Sequence, residues 1–210
     1  MISSPQKPCQ NKVMPEPRSL ILASTSRYRK GLLERLGLPF DCADPGIDER
    51  ALPAESPADT ARRLAALKAQ AVAARFPRAL IIGSDQVASC DGALLDKPGT
   101  HANAVRQLTA LSGRIARFDT ALALLDARSG SEQVQVVPCL VHFRRFGAAQ
   151  IEDYLRREQP YDCAGSAKSE GLGIALIARI EGEDPSALIG LPLVALTGML
   201  ARAGMPVLRG

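Results

Sequence analysis

The sequence predicts an α/β protein that folds as one unit with two lobes. Short apolar runs typical of buried strands alternate with longer segments whose apolar residues recur at helical spacing. Capping and turn residues separate the two kinds of segment. The chain is 210 residues long, which is enough for one sizeable hydrophobic core. No internal repeat or low-complexity tract interrupts the alternation.

The first strand and helix span about residues 19–36. Apolar residues at 20–23 predict the strand, and three small hydroxyl residues follow it at 24–26. The next segment carries leucines on one helical face and ends before Gly37, a suitable C-cap residue. This order places a helix N-terminus directly after the end of a strand.

The start of this helix is a candidate anion-binding site. A helix N-terminus presents unpaired N–H groups and the positive end of the helix dipole, so it suits a phosphate group. Its first turn carries Arg27, Arg29 and Lys30, where acidic side chains are the usual choice. The added positive charge indicates either an anionic ligand or a solvated basic helix start, and this segment alone does not decide between them.

The later elements follow from the same signals. The best marked is a helix at 56–75, because Ser56 is a suitable N-cap, Pro57 suits the first helical position and Asp59 completes a capping box. The other expected elements are, in order, an extended segment at 40–42, a strand at 79–82 that ends at 83–86, a hairpin turn at 91–92, a helix at 100–112, strands at 114–126 and 133–145, a helix at 148–157, a glycine-rich loop at 165–173, a strand at 174–180 and a helix at 193–203.

The composition argues against several functional classes. The net charge is +4, which suits a phosphorylated ligand but is too small to indicate a nucleic-acid-binding surface. Three tyrosines, five phenylalanines and no tryptophan give little material for stacking on bases. No apolar run is long enough to span a membrane. We therefore expect neither nucleic acid nor a membrane as a partner.

The cysteines and the N-terminal residues indicate the compartment and the domain boundary. Five widely spaced cysteines predict reduced thiols in the cytoplasm rather than a disulfide framework or a zinc site. Residues 1–17 contain four prolines and no apolar signal-peptide segment, which predicts a disordered N-terminal extension. Residues 18–210 are expected to form a single domain.

Lys68 occupies an unusual position in the helix predicted at 56–75. Its neighbours on the same helical stripe are all apolar, namely Ala61, Leu64, Ala65, Ala71 and Val72. A lysine there either extends its ammonium to the rim or faces a polar cavity. Because burying an unpaired ammonium costs several kcal/mol, we expect a cavity in which a phosphate ligand offsets that cost.

Three further charged residues are candidates for chemistry. Asp85 directly follows an apolar strand, and the carboxyl ends of strands line the ligand crevice in α/β folds. The alternative for Asp85 is a turn aspartate that caps its own backbone. Glu49 and Lys97 lie in expected loops, and each alone would be an ordinary solvated residue. Together, two acids and several bases on separate loops are what metal-assisted phosphoryl or nucleotidyl chemistry needs.

Several short motifs, in this order, resemble those of the Maf (septum-formation-inhibitor-like) nucleotide pyrophosphatases. They are Leu-Ile-Leu-Ala-Ser-Thr-Ser at 20–26 with the basic residues after it, Ile-Asp-Glu at 47–49, Ile-Gly-Ser-Asp-Gln at 82–86, Lys-Pro at 97–98 and Ala-Gly-Ser at 164–166. The resemblance runs in register from about residue 19 to about residue 205. It implies an elongated mixed sheet with flanking helices, two lobes around a central nucleotide-binding cleft, and a homodimer.

The resemblance also implies an activity. Members of this family hydrolyse nucleoside triphosphates to a monophosphate and pyrophosphate, and they need a divalent metal cation such as Mg²⁺ or Mn²⁺. Matched position by position, Asp85 would be the general base and Glu49 would help hold the metal. The residues that would contact the triphosphate are Ser24, Arg29, Lys68 and Lys97.

Three positions that choose the base in this family correspond to Tyr28, Gln86 and Glu170. Gln86 and Glu170 match the branch that hydrolyses 7-methyl-GTP, whereas the dTTP/UTP branch has threonine and glutamine there. The chain departs from the family pattern at Arg27, where proline is usual, and at Tyr28, where the methyl-GTP branch often has tryptophan. An aromatic face still attracts the cationic 7-methylguanine ring by about 0.5–2 kcal/mol.

Two alternatives remain beside hydrolysis of 7-methyl-GTP. One is a dTTP/UTP pyrophosphatase of the same family. The other is a non-catalytic nucleotide-binding regulator of septum formation, which would have no use for a positioned general base such as Asp85.

Overall fold

The computed structural model describes residues 18–208. Within them the chain forms seven strands and five α-helices. The strands are β1 (Leu20–Leu22), β2 (Asp41–Cys42), β3 (Leu80–Cys90), β4 (Ala93–Leu94), β5 (Ile115–Asp126), β6 (Glu132–Phe143) and β7 (Ile177–Gly182). The helices are α1 (Arg27–Glu34), α2 (Pro57–Ala73), α3 (His101–Leu111), α4 (Ala148–Glu158) and α5 (Leu193–Arg202). The extension predicted at 1–17 lies outside the described residues.

The strands form one mixed, open sheet in the order β2-β1-β3-β5-β6-β7, and the short β4 pairs with β3 beside this path. Strand β1 runs parallel to both β2 and β3, whereas the remaining pairs are antiparallel. Helix α2 covers one face of the sheet with its alanine-rich stripe. On the other face α1 and α5 cover one end of the sheet, and α3 and α4 cover the other end. The predicted α/β class and mixed sheet are confirmed.

Strand β3 joins the two ends of the sheet, and its predicted length was wrong. The sequence pattern ended this strand at 83–86, but the strand continues to Cys90 because β5 pairs with it from Leu80 to Ser89. Asp85 therefore lies inside a strand and not in a turn after one. The parallel neighbour β1 stops at Leu22, opposite Ile82, so Asp85 still lies just beyond the carboxyl end of β1.

The hairpin turn expected at 91–92 and the strand expected at 174–180 have different outcomes. The hairpin turn predicted at 91–92 is confirmed, since Asp91 and Gly92 both adopt positive φ and connect β3 to β4. The strand predicted from residue 174 begins only at Ile177, because Leu172–Leu176 forms a 3₁₀ helix that closes the glycine-rich loop. None of the helices within residues 18–208 is long and apolar enough to cross a membrane.

Gly83 allows α2 to pack unusually close to β3. A Cβ atom at this position would overlap the carbonyl oxygen of Ala65 and lie 2.9 Å from the backbone nitrogen of Ala69. A larger residue would therefore push the helix away from the sheet. The close approach matters because Lys68 of α2 and Asp85 of β3 flank this contact.

Candidate active site

Lys68 forms the centre of a charged cluster. Its ammonium lies 2.6 Å from Asp85 Oδ1 and 2.7 Å from Glu49 Oε1. Only 4% of the Lys68 side chain and 10% of the Asp85 side chain is exposed, whereas 53% of the Glu49 side chain is exposed. The cluster therefore joins two buried groups, one from a helix and one from a strand, to a loop carboxylate that faces solvent.

The position of Lys68 agrees with the expectation of a polar cavity, but two carboxylates neutralise its charge where a phosphate was expected. Two carboxylates already offset the cost of burying the ammonium, so a phosphate is not needed to stabilise it in the free protein. The expectation that separate loops supply the acids and bases was also incomplete. Lys68 comes from α2 and Asp85 from β3, whereas Glu49 and Lys97 lie in loops.

The charge of Glu49 is stabilised by three cations around it. Partial burial raises the pKa of Glu49, but Lys68, Lys97 and Arg29 outweigh this effect and hold the pKa below its ordinary value. The carboxylate is therefore ionised at neutral pH. Glu49 accepts from Lys68 through Oε1, which leaves Oε2 available to a cation or a hydrogen-bond donor.

The loop that carries Glu49 is fastened to α2 by Glu55. Its carboxylate accepts two hydrogen bonds from Arg63 at 2.7 Å each, one from Thr60 Oγ1 at 2.9 Å and one from the Leu52 backbone N–H at 3.1 Å. The hydrogen bonds from Arg63 lower the pKa of Glu55 to about 2. This network fixes the end of the loop against the first turns of the helix.

Ser24 and Ser26 shape the turn between β1 and α1. Ser24 Oγ accepts from the Ser26 backbone N–H at 3.1 Å, and Ser26 caps the helix by accepting from the Arg29 backbone N–H at 3.4 Å. Ser24 is buried at the base of the cleft. The predicted helix N-terminus is therefore present, and Arg27 and Arg29 of its first turn line the cleft, whereas Lys30 lies 3.9 Å from Glu34 on the helix surface.

Arg29 is oriented by a backbone carbonyl at the other end of the chain. Its Nε donates to the Gly190 carbonyl at 2.9 Å, and the same carbonyl accepts from Ser84 Oγ at 2.9 Å. Burial lowers the pKa of Arg29, with Asp85 and Glu49 opposing this effect. An arginine remains charged in proteins, so the two terminal guanidinium nitrogens can donate to an anion.

The three residues that the family resemblance assigns to base selection all line the cleft. The two N–H groups of Gln86 Nε2 are shared among Thr120 Oγ1 at 2.8 Å and two backbone carbonyls at 3.0 Å, so the Gln86 carbonyl oxygen is the group left to meet a ligand. Glu170 is exposed, and Tyr28 is half-buried. The fixed amide and the carboxylate can both accept from the N1–H and N2–H₂ edge of guanine.

One cleft, with a volume of about 910 Å³, brings together all nine candidate residues. They are Ser24, Tyr28, Arg29, Glu49, Lys68, Asp85, Gln86, Lys97 and Glu170. Further residues in or behind the cleft carried no signal in the sequence, because their partners are far away along the chain. Examples are Thr120, which helps fix Gln86, and Asp162, which meets Tyr28 across 134 residues.

The donor set fits a divalent cation that shares its coordination with a ligand. Glu49 and Asp85 converge on one ammonium, so their carboxylates lie close to each other. Within residues 18–208 no three histidine, cysteine, aspartate or glutamate residues form a metal-binding group. Two carboxylates are too few for an all-protein cage, but they suit Mg²⁺ or Mn²⁺, which keep waters and bind substrate phosphates.

A mixed sheet with a cleft that combines four cations and two close carboxylates is the architecture of a protein that handles phosphorylated ligands. The family model described as Maf-like protein matches residues 19–203, and the chain belongs to this family.

Three similar bacterial proteins share one name. The chain is 57% identical to a protein from Thiobacillus denitrificans over 90% of this chain and 94% of that protein. It is 57% identical to a protein from Burkholderia pseudomallei over 91% of this chain and 90% of that protein. It is also 57% identical to a protein from Methylobacillus flagellatus over 90% of this chain and 98% of that protein. All three are named 7-methyl-GTP pyrophosphatase.

Proposed function

We propose that this protein is a nucleoside triphosphate pyrophosphatase that converts 7-methyl-GTP to 7-methyl-GMP and pyrophosphate. The observation that carries the proposal is the convergence of Lys68, Asp85 and Glu49 in one cleft, in a chain whose full-length relatives have that name. The same cleft is lined by the N-terminus of α1, which offers N–H donors and cations to a triphosphate.

Asp85 acts as the general base. It takes a proton from a water molecule that attacks the α-phosphorus, the new P–O bond forms, and the bond from the α-phosphorus to the bridging oxygen breaks to release pyrophosphate. Asp85 suits this role because it is held in a strand at the base of the cleft and can accept through Oδ2, while Oδ1 accepts from Lys68.

The cations neutralise the triphosphate. Arg29 presents two free guanidinium nitrogens, and Lys97 lines the cleft with no hydrogen-bond partner among residues 18–208. Lys68 can turn from Glu49 to a phosphate oxygen and still remain close to Asp85. Electrostatic stabilisation of charge on transferring phosphoryl groups is the main means of catalysis in such reactions.

Glu49 and Asp85 would hold a divalent cation such as Mg²⁺ or Mn²⁺ together with phosphate oxygens. When bound, that ion would polarise the phosphate and offset its negative charge. Glu49 is ready for this role because its lowered pKa keeps it ionised at neutral pH.

Base recognition is assigned to Tyr28, Gln86 and Glu170. Glu170 accepts from the guanine edge, and its charge attracts a cationic base. Two cations already contact the Tyr28 ring, so stacking on Tyr28 alone would not favour 7-methylguanine over guanine. Carboxylates at this end of the cleft are therefore required for selectivity.

The proposal also covers the domain organisation, compartment, oligomeric state and partners of the protein. We propose residues 18–210 as one catalytic domain in the cytoplasm that forms a homodimer and needs neither nucleic acid nor a membrane. A continuous sheet from β1 to β7 supports the single domain, and four free thiols among residues 18–208 suit a reducing compartment. The modest net charge of +4 fits a small anionic substrate.

A panel that measures pyrophosphate release from 7-methyl-GTP, GTP, dTTP and UTP, each with Mg²⁺, Mn²⁺ or a chelator, tests the function. We expect metal-dependent release with the highest kcat/KM for 7-methyl-GTP. Asp85→Asn should lower the rate by about 10²–10⁴-fold, because it removes a proton acceptor without changing shape. A preference for dTTP and UTP would favour the pyrimidine branch, and binding without turnover would favour a regulator.

A further inference from the structure

A second charged cluster lies at the base-recognition end of the cleft. The Tyr28 hydroxyl lies 3.1 Å from Asp162 Oδ2 and 3.3 Å from Oδ1. Arg27 donates to the Tyr28 hydroxyl at 2.8 Å and to Asp162 Oδ2 at 3.1 Å. Asp162 therefore connects the loop after α4 to the first turn of α1, across the cleft that both segments line.

The loop that carries Asp162 is held in place from behind. The Tyr161 carbonyl accepts from the Gly99 backbone N–H at 3.0 Å, and the Tyr161 hydroxyl lies 3.0 Å from His101 Nδ1. The His101 ring in turn contacts Glu152 of α4 through Nε2 at 3.1 Å. The carboxylate of Asp162 is thus presented from a fixed backbone, and half of its side chain remains exposed to the cleft.

The charges around Tyr28 explain why a carboxylate is needed there. The Arg27 guanidinium lies 4.9 Å from the centre of the Tyr28 ring, and the Lys168 ammonium lies 5.8 Å from it. A cationic base that approached this ring would be repelled by both groups. Glu158 forms an ion pair with Lys168 at 3.1 Å and neutralises its charge. Asp162 forms the corresponding ion pair with Arg27 at 3.1 Å.

We propose that Asp162 is a specificity-determining residue that favours a cationic purine, with its carboxylate positioned by the Tyr28 hydroxyl. This inference rests on the proposed function, because it concerns the same cleft. In the free protein Asp162 neutralises Arg27, which would otherwise repel a cationic base. Arg27 is 71% exposed and can move aside when a base stacks on Tyr28, which frees the Asp162 oxygen that it occupied.

This role differs from a purely structural one, in which Asp162 would only hold the loop after α4 against the first turn of α1. A fastening role would depend on hydrogen bonds that an amide can also make, and its loss would affect every nucleotide equally. A charge-selective role would affect 7-methyl-GTP and leave GTP nearly unchanged, because the two differ by one methyl group and the positive charge that it brings.

The test compares Asp162→Asn with the wild type on 7-methyl-GTP and GTP. Asparagine keeps the size of the side chain and can still accept from Tyr28, but it has no charge. We expect the ratio of the two kcat/KM values to fall about 3- to 10-fold, a modest change because the carboxylate is half-exposed. The difference between Asp162→Asn and the wild type in this ratio should be smaller in high salt, because salt screens the charge of Asp162. Asp153→Asn is the control, since Asp153 is an exposed carboxylate on α4 outside the cleft.

A second variant tests the positioning by Tyr28. Tyr28→Phe keeps the ring and removes the hydroxyl. We therefore expect the ratio of kcat/KM for 7-methyl-GTP to kcat/KM for GTP to fall less than in Asp162→Asn, and the change to affect KM more than kcat. An unchanged ratio in Asp162→Asn, or equal losses on both substrates, would overturn the inference.

Binding measurements separate this inference from the proposed function. Calorimetric Kd values for 7-methyl-GMP and GMP need no catalysis. If the wild type hydrolyses neither triphosphate but prefers 7-methyl-GMP in an Asp162-dependent way, the inference stands and the proposed hydrolysis fails. If the wild type has no preference for the methylated base, the inference fails.

Discussion

The Lys68–Asp85 pair shows how one residue serves both folding and chemistry. In the free protein Lys68 neutralises a carboxylate of which only 10% of the side chain is exposed. With substrate present, the same ammonium can offset phosphate charge. The two roles compete, because an ammonium that turns fully to phosphate leaves the Asp85 carboxylate without its partner.

Removing the Lys68 charge should therefore destabilise the protein. Lys68→Met keeps an apolar stem but leaves Asp85 buried without its cation, and breaking one partner of a buried pair costs about 3–5 kcal/mol. Urea unfolding at pH 7 measures this loss. The double variant Lys68→Met, Asp85→Asn should recover much of the stability, because no buried carboxylate is left without a cation and Glu49 remains half-exposed. A single variant as stable as the wild type would show that the pair does not stabilise the fold.

Helix α2 and strand β3 form the element contact on which the site depends. The helical stripe of alanines reaches the sheet closely because Gly83 has no side chain. That closeness brings the Lys68 ammonium to 2.6 Å from Asp85. Thr60 and Arg63 in the N-terminal part of α2 also donate hydrogen bonds to Glu55, which holds the loop that carries Glu49. Helix α2 therefore positions both Lys68 and Glu49.

Gly83→Ala should harm both stability and activity. The added methyl group would overlap the backbone of α2, and overpacking of this kind costs about 1–3 kcal/mol or more. Gly31→Ala is the matched control, because nothing lies within 4 Å of a Cβ at that helical position. Alanine there should add about 0.5–1 kcal/mol of stability. Equal stabilities of the two variants in urea unfolding would contradict the close-packing argument.

Glu55 should give the protein part of its resistance to acid. Its pKa is about 2 in the folded protein, against 4.5 for an unperturbed glutamate. A lowered pKa adds stability above pH 4.5, and this contribution is lost as the pH falls toward 2. Glu55→Gln should be less stable than the wild type at pH 7, and the difference should vanish near pH 2. Glu34→Gln, which removes an exposed carboxylate on α1, is the control for the loss of one surface charge.

Across the whole molecule, the sequence predicted the elements better than their contacts. Capping residues and apolar periodicity located α2 and placed Lys68 on its buried face. The length of β3 was missed, since pairing with β5 overrides the local signal of Gly83, Ser84 and Asp85. Asp162 could not be predicted, because its contact with Tyr28 joins segments 134 residues apart and neither residue has an unusual local pattern.

Because the start of α1, helix α2, strand β3 and the loop after α4 all line the cleft, a bound nucleotide should stabilise the entire fold. Asp85→Asn retains Arg29, Lys68 and Lys97 for the triphosphate and Glu49 for the metal, and it turns over slowly, so it allows 7-methyl-GTP to be studied without hydrolysis. At a concentration of about 100 times Kd, the ligand should add about 2.7 kcal/mol. For a chain of this size that corresponds to a rise in Tm of about 5–10 °C. The rise should be larger with Mg²⁺ than with a chelator, since Glu49 repels the triphosphate unless a cation lies between them. A Tm that 7-methyl-GTP leaves unchanged at millimolar concentration, with or without Mg²⁺, would contradict the cleft as the nucleotide site.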